Sequence, residues 1–123
     1  MSFDWKGYLT VADDLLYHTE EHYCRSAISR AYYAVFCIAR NKKGLKDYSP
    51  PDENSPGVHK KVILEYKNST ERVEQKVGNN LDKLRRSRNL ADYREDEVID
   101  KPLAERMVAS AKSILKVLER PLH

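Results

Sequence analysis

Three stretches of this 123-residue chain carry side chains whose types and spacing could do chemistry. His18-Thr19-Glu20-Glu21-His22 matches H-x-x-E-H, in which two histidines one helical turn apart grip zinc and the glutamate acts as base. Three fixed positions in five residues recur often by chance, the pentapeptide falls where the first helix should end, and the pattern needs a further acidic ligand. A solvated turn is the expected structure there. Lys83, Arg85, Arg86 and Arg88 put four cations within six positions, opposed by Asp82. Near a helix end cations suit the dipole, so a solvated face is one reading. Arg85, Arg88 and Asp92 recur at three and four, however, and so share a face that adjoins Leu84. That placement fits phosphate recognition or a structural arginine and aspartate network. His59, two residues after Gly57 at a helix start, reads as a surface or capping residue or as a functional one.

Arg30 stands inside Ser29-Arg30-Ala31-Tyr32-Tyr33-Ala34-Val35-Phe36, the most apolar stretch of the chain. A cation there must find an acid or an anion, and Asp92, Asp13 and Asp14 are the candidates. Cys24 and Cys37 fall in one continuous helix, about 20 Å apart at 1.5 Å per residue, so they cannot pair within it. Two isolated thiols cannot build a structural zinc site, and each reads as a small buried hydrophobe. The residues call for no metal and no cofactor.

The elements that must position these groups follow from composition and periodicity. At 41% apolar and 33% charged, with 4 Gly and 5 Pro, the chain fits one soluble core and excludes a disordered or disulfide-stapled domain. The net charge of +3 permits an anionic partner without demanding one. The longest apolar run, Ala31 to Ala39, is nine residues, and no basic-then-apolar segment opens the chain, which points to no membrane span and to the cytoplasm.

Trp5, Tyr8, Leu9, Ala12, Leu15 and Leu16 form a helical stripe, placing a first helix at about residues 3–18. From Glu20 a second helix is apolar almost all round and so belongs at the centre; it should stop near Lys43, with Gly44 as the left-handed cap. A long loop rich in Pro, Asp and Ser precedes a short helix from Val58 to Tyr66. A helix at about residues 70–92 has a thin stripe, Val73, Val77, Leu81 and Leu84, locally weakened by Gly78. Asp100 with Pro102 just inside starts the last helix, which carries the cleanest stripe and closes before Pro121. The expected fold is all-α: an antiparallel up-and-down four-helix bundle with an extra short helix, as a single domain over residues 1–123.

Three segments together resemble a known family. They are Arg25-Ser26-Ala27-Ile28-Ser29-Arg30-Ala31-Tyr32-Tyr33-Ala34-Val35-Phe36, Val58-His59-Lys60-Lys61-Val62-Ile63, and Leu84-Arg85-Arg86-Ser87-Arg88-Asn89-Leu90-Ala91-Asp92-Tyr93. In order and spacing they resemble the HEPN domains (higher eukaryotes and prokaryotes nucleotide-binding). The resemblance implies a helical bundle that commonly forms homodimers, with the end of the Arg88 helix from each subunit facing a shared cleft. Relatives include metal-independent ribonucleases, toxins of toxin–antitoxin pairs, and small proteins encoded beside nucleotidyltransferases. Catalytic members carry R-x4-6-H. Arg88 and Asn89 match its opening, but Tyr93, Arg94 and Glu95 stand where the histidine would be, and the next histidine is His123. The Arg-Asn-Leu-Ala-Asp-Tyr form resembles a branch with this segment in place of the motif.

Metal-free RNA cleavage needs a group that moves protons near neutrality, which His does with a pKa of about 6.5 and Tyr, at about 10, does poorly. The leading expectation is therefore a binding module. In it Arg85, Arg86, Arg88 and Asn89 hold RNA or nucleotide phosphates, Arg30, Asp92 and Tyr93 form a polar network, and a nucleotidyltransferase is a possible partner. The alternatives are an endoribonuclease, with Arg88, Tyr93 and His59 as candidates and His59 or His22 supplying the absent histidine, and a purely structural helical dimer.

Overall fold

A computed structural model describes residues 2–121; His123 lies outside them. Five helices and no strand are found among the described residues: α1 (Gly7–Leu15), α2 (Glu21–Lys42), α3 (Val58–Lys67), α4 (Arg72–Tyr93) and α5 (Lys101–Leu118). The fold is all-α, as the periodicity predicts. α1 is shorter than its stripe. Its flanks tighten into three-residue turns, with the N–H of Tyr8 on Trp5 O (3.0 Å) and that of His18 on Leu15 O (3.1 Å), so Trp5 and Leu16 pack on the core from outside the helix.

α2 ends as expected. Gly44 takes φ +69°, its N–H donates to Asn41 O (3.0 Å), and the N–H of Leu45 donates to Arg40 O (3.0 Å), which satisfies the last carbonyls in a Schellman motif. α5 starts as expected too, with the Leu103 N–H donating to the Asp100 carboxylate at 3.0 Å and Pro102 in the first turn.

Ion pairs and hydrogen bonds at the helix ends fix direction. Lys43, just past α2, meets Glu74 at the start of α4 (2.8 Å), while Arg25, near the start of α2, meets the end of α4. Arg120 after α5 reaches Glu71 before α4 (2.7 Å), and Lys6 before α1 reaches Glu119 after α5 (2.9 Å). α1, α2, α4 and α5 thus run up and down in turn. The short α3 lies parallel to α2: His59 meets Tyr32 at one end, and the Tyr66 hydroxyl donates to Ala39 O (2.9 Å) at the other. α2 touches all four other helices, which is why Tyr32, Ala34 and Val35 on its different faces are all fully buried.

Two apolar clusters result. The larger unites Tyr32, Val35, Phe36, Val62, Tyr66, Val77, Leu81, Leu84, Val108 and Ile114 among others. The smaller joins Cys24 and Ile28 of α2 to Ala91, Ile99 and Ala104. Gly78 has a packing reason: a Cβ there would lie 2.6 Å from the Lys67 backbone nitrogen, so the glycine lets α4 cross the end of α3.

Candidate functional site

The buried face of α4 reads Val77, Leu81, Leu84, Arg88 and Ala91. Arg88 therefore occupies a core position, between Leu84 of the larger cluster and Ala91 of the smaller, and is only 6% exposed. Its guanidinium lies 5.2 Å from the ring centres of both Tyr32 and Tyr33 and 5.9 Å from that of Tyr93. Such contacts offset part of the cost of burying a cation, by roughly 2 kcal/mol when desolvated. The ion pair is incomplete. Arg88 Nη1 stands 3.7 Å from Asp92 Oδ2, beyond hydrogen-bond length, and its buried Nε has no partner among the described residues. Asp92 Oδ2 instead accepts from Ser29 Oγ at 3.2 Å.

Arg85 lies one turn earlier and is half-buried, and its buried Nε is also without a partner among the described residues. α3 brings His59 to the same place. Its Nδ1 is 2.6 Å from the Tyr32 hydroxyl, and its ring stacks on Phe36 with centroids 4.2 Å apart. Burial lowers the His59 pKa to about 4, helped by the positive charges of Arg85, Arg88 and Arg40. Burial likewise pushes the Tyr32 hydroxyl up, against a smaller opposite effect of Arg85 and Arg88. The surface or capping role expected for His59 does not hold: the residue before α3 is Gly57, and the flat imidazole is packed among rings of α2.

The other sequence-predicted residues divide. Tyr93 is 72% exposed at the rim of the site, and Asn89 is exposed beside it on α4. Arg86 points away, exposed, with its guanidinium 2.6 Å from Asp82, which also takes Lys67 at 2.8 Å. Arg30 does not join Asp92 and Tyr93 in a network, nor does it pair with Asp13 or Asp14. It is exposed and lies over the Tyr8 ring at 4.9 Å, because the apolar sequence around it buries the neighbouring faces of α2 and leaves this one at the surface. The H-x-x-E-H residues do not share a helix: His18 precedes α2 and stacks on Tyr23, while Glu21 and His22 lie in its first turn.

Arg25 was missed as a site residue. It donates to Leu90 O (3.2 Å) and Ala91 O (3.0 Å) at the end of α4, to Glu97 O in the following loop, and to Glu21. Glu21 also accepts from the Ile99 N–H (2.9 Å), and that bond, with Arg25, holds its carboxyl below the usual range. The i, i+4 spacing of Glu21 and Arg25 was the available signal. Beside this latch a groove of about 510 Å³ is lined by His22, Arg25, Asp92, Tyr93 and Arg94 among others, and it shares Asp92 and Tyr93 with the Arg88 site.

The chain is thus an up-and-down helical bundle with a buried, incompletely paired arginine facing a tyrosine-lined site. Residues 12–120 match the HEPN domain, and the chain belongs to the HEPN family. No curated protein and no solved structure matches it. No helix of the described residues is long and apolar enough to cross a membrane.

Proposed function

We propose that the chain is a homodimeric module that binds RNA or nucleotide phosphates through Arg88 and Arg85 without cleaving them. It would act with a nucleotidyltransferase-type partner or in a toxin–antitoxin or stress setting. Membership of the HEPN family supports a nucleotide- or RNA-related helical module. The observation that carries the reading is Arg88: a buried cation whose Nε has no partner among the described residues, and whose ion pair is stretched to 3.7 Å, is left with donors for an anion. Arg85, one turn away and likewise without a partner for its Nε among the described residues, supplies a second cation. The large exposed side chains of Tyr93 and Val98, at the end of α4 and in the loop after it, fit a face covered by a second subunit.

Titration of a single-stranded RNA at several salt concentrations tests the reading. Each of Arg85→Ala and Arg88→Ala is expected to weaken binding and to reduce the slope of log affinity against log salt by about one unit or less. Arg86→Ala, at a side chain that points away from the site toward Asp82, is expected to do less. Absence of binding at about 50 mM salt, or indifference to the double variant, overturns the proposal. Sedimentation at micromolar concentration tests the homodimer, which a species near 14 kDa throughout would exclude.

A second reading is favoured by one contact. His59, packed on the same tyrosine as Arg88, stands where a metal-independent endoribonuclease would need its histidine, although a pKa of about 4 makes it a weak base in the unliganded protein. Chelator-resistant cleavage lost in both Arg88→Ala and His59→Ala would establish it.

A further inference from the structure

We propose that Tyr32 and His59 are the proton-taking arm of the Arg85 and Arg88 site: a phosphodiester held there draws a proton onto His59 and so reverses its hydrogen bond with the Tyr32 hydroxyl. The inference rests on the phosphate-binding reading of Arg88.

Tyr32 is fully buried, and the hydrogen bond its side chain makes among the described residues is the 2.6 Å contact with His59 Nδ1. A phenol has one proton to give. With His59 neutral and Nδ1 bare, that proton is committed to the imidazole. With Nδ1 protonated, the contact reverses: the imidazolium donates to the phenol oxygen, and the hydroxyl proton is freed for another acceptor. The guanidinium of Arg88 lies 5.2 Å from the centre of the same tyrosine ring, so an anion on Arg88 places its negative charge near the Tyr32 and His59 pair. In weakly acidic solution up to one proton is taken from solvent per anion bound, and no covalent bond changes.

The charges around the imidazole favour this coupling. Facing His59 from α2 are Tyr32, Tyr33 and Arg40, and from α4 Arg85 and Arg88. Asp92, the carboxylate of the site, engages Ser29 and Arg88 instead. Burial, and after it this uncompensated positive field, keeps His59 neutral. An anion on the arginines offsets that field. By reciprocity, an anion that favours the proton is itself favoured by the proton to the same extent.

Calorimetric titration with hexauridylate lacking terminal phosphates provides the test, because neither its diesters nor its bases titrate in weakly acidic solution. The expected result is about tenfold tighter binding at pH 5 than at pH 7. Most of one proton should be taken up per site at the lower pH, read from the dependence of the heat on the buffer. His59→Gln is expected to lose the acid enhancement, so that its own affinities at pH 5 and pH 7 agree within about twofold, and Tyr32→Phe to blunt it. Arg88-dependent binding whose heat is independent of buffer, or an enhancement that survives in His59→Gln, overturns the coupling and leaves phosphate binding standing. Binding that is absent, or indifferent to Arg88→Ala, overturns the phosphate-binding reading and this inference with it. The buffer comparison uses the wild type alone, so misfolding of a variant does not remove the test.

Discussion

Arg88 holds a position that packing alone would give to a leucine or methionine. Burying a guanidinium costs several kcal/mol, and three tyrosine faces and an ion pair of 3.7 Å offset this only in part. Arg88→Met keeps the length and removes the charge, and is expected to leave thermal stability unchanged or raise it by about 1–2 kcal/mol while weakening anion binding. A loss of stability in denaturant titration would show that Arg88 is structural. His59 gives the unliganded protein a second signature. Its pKa is lowered from about 6.5 in the unfolded chain to about 4 in the folded one, so its contribution to stability is complete above pH 6.5 and is lost as pH falls toward 4. The carboxyls of Glu21, Glu74, Asp82 and Asp96 are held below their ordinary values and lose their contributions at lower pH. Denaturation followed from pH 7 to pH 5 is therefore expected to show a decline in the wild type that His59→Gln removes.

At the scale of the element, periodicity and end signals made most of the fold legible. Gly44, Asp100 and Pro102 mark their boundaries by backbone chemistry that is local, and the all-round apolar α2 announced its central place. Gly78 was legible only as a weak point. Its purpose lies in Lys67, eleven residues away and on another helix, and no local pattern encodes that crossing. Gly78→Ala is thus expected to destabilise by about 1–3 kcal/mol, although alanine favours an isolated helix by about 1 kcal/mol, and the melting temperature decides between the two effects. Arg85 and Arg88 were legible from spacing, and their different burial was not. The same holds for His59 and Arg30, whose surroundings depend on α3 folding back along α2 and on α1 supplying Tyr8.

For the molecule as a whole, the two apolar clusters meet in α2, and each holds one of the two cysteines: Cys24 in the smaller, Cys37 in the larger. Burial pushes both thiols up, so neither reacts readily while its surroundings stay closed. Alkylation of the native protein consequently times the opening of each cluster separately, with a clock already placed in each. The smaller has five buried residues and is tied to the loop after α4 by the Glu21 and Arg25 latch, so it has less apolar area holding it shut. Cys24 is expected to be labelled before Cys37 under native conditions, and equal rates would mean that the bundle opens as one unit.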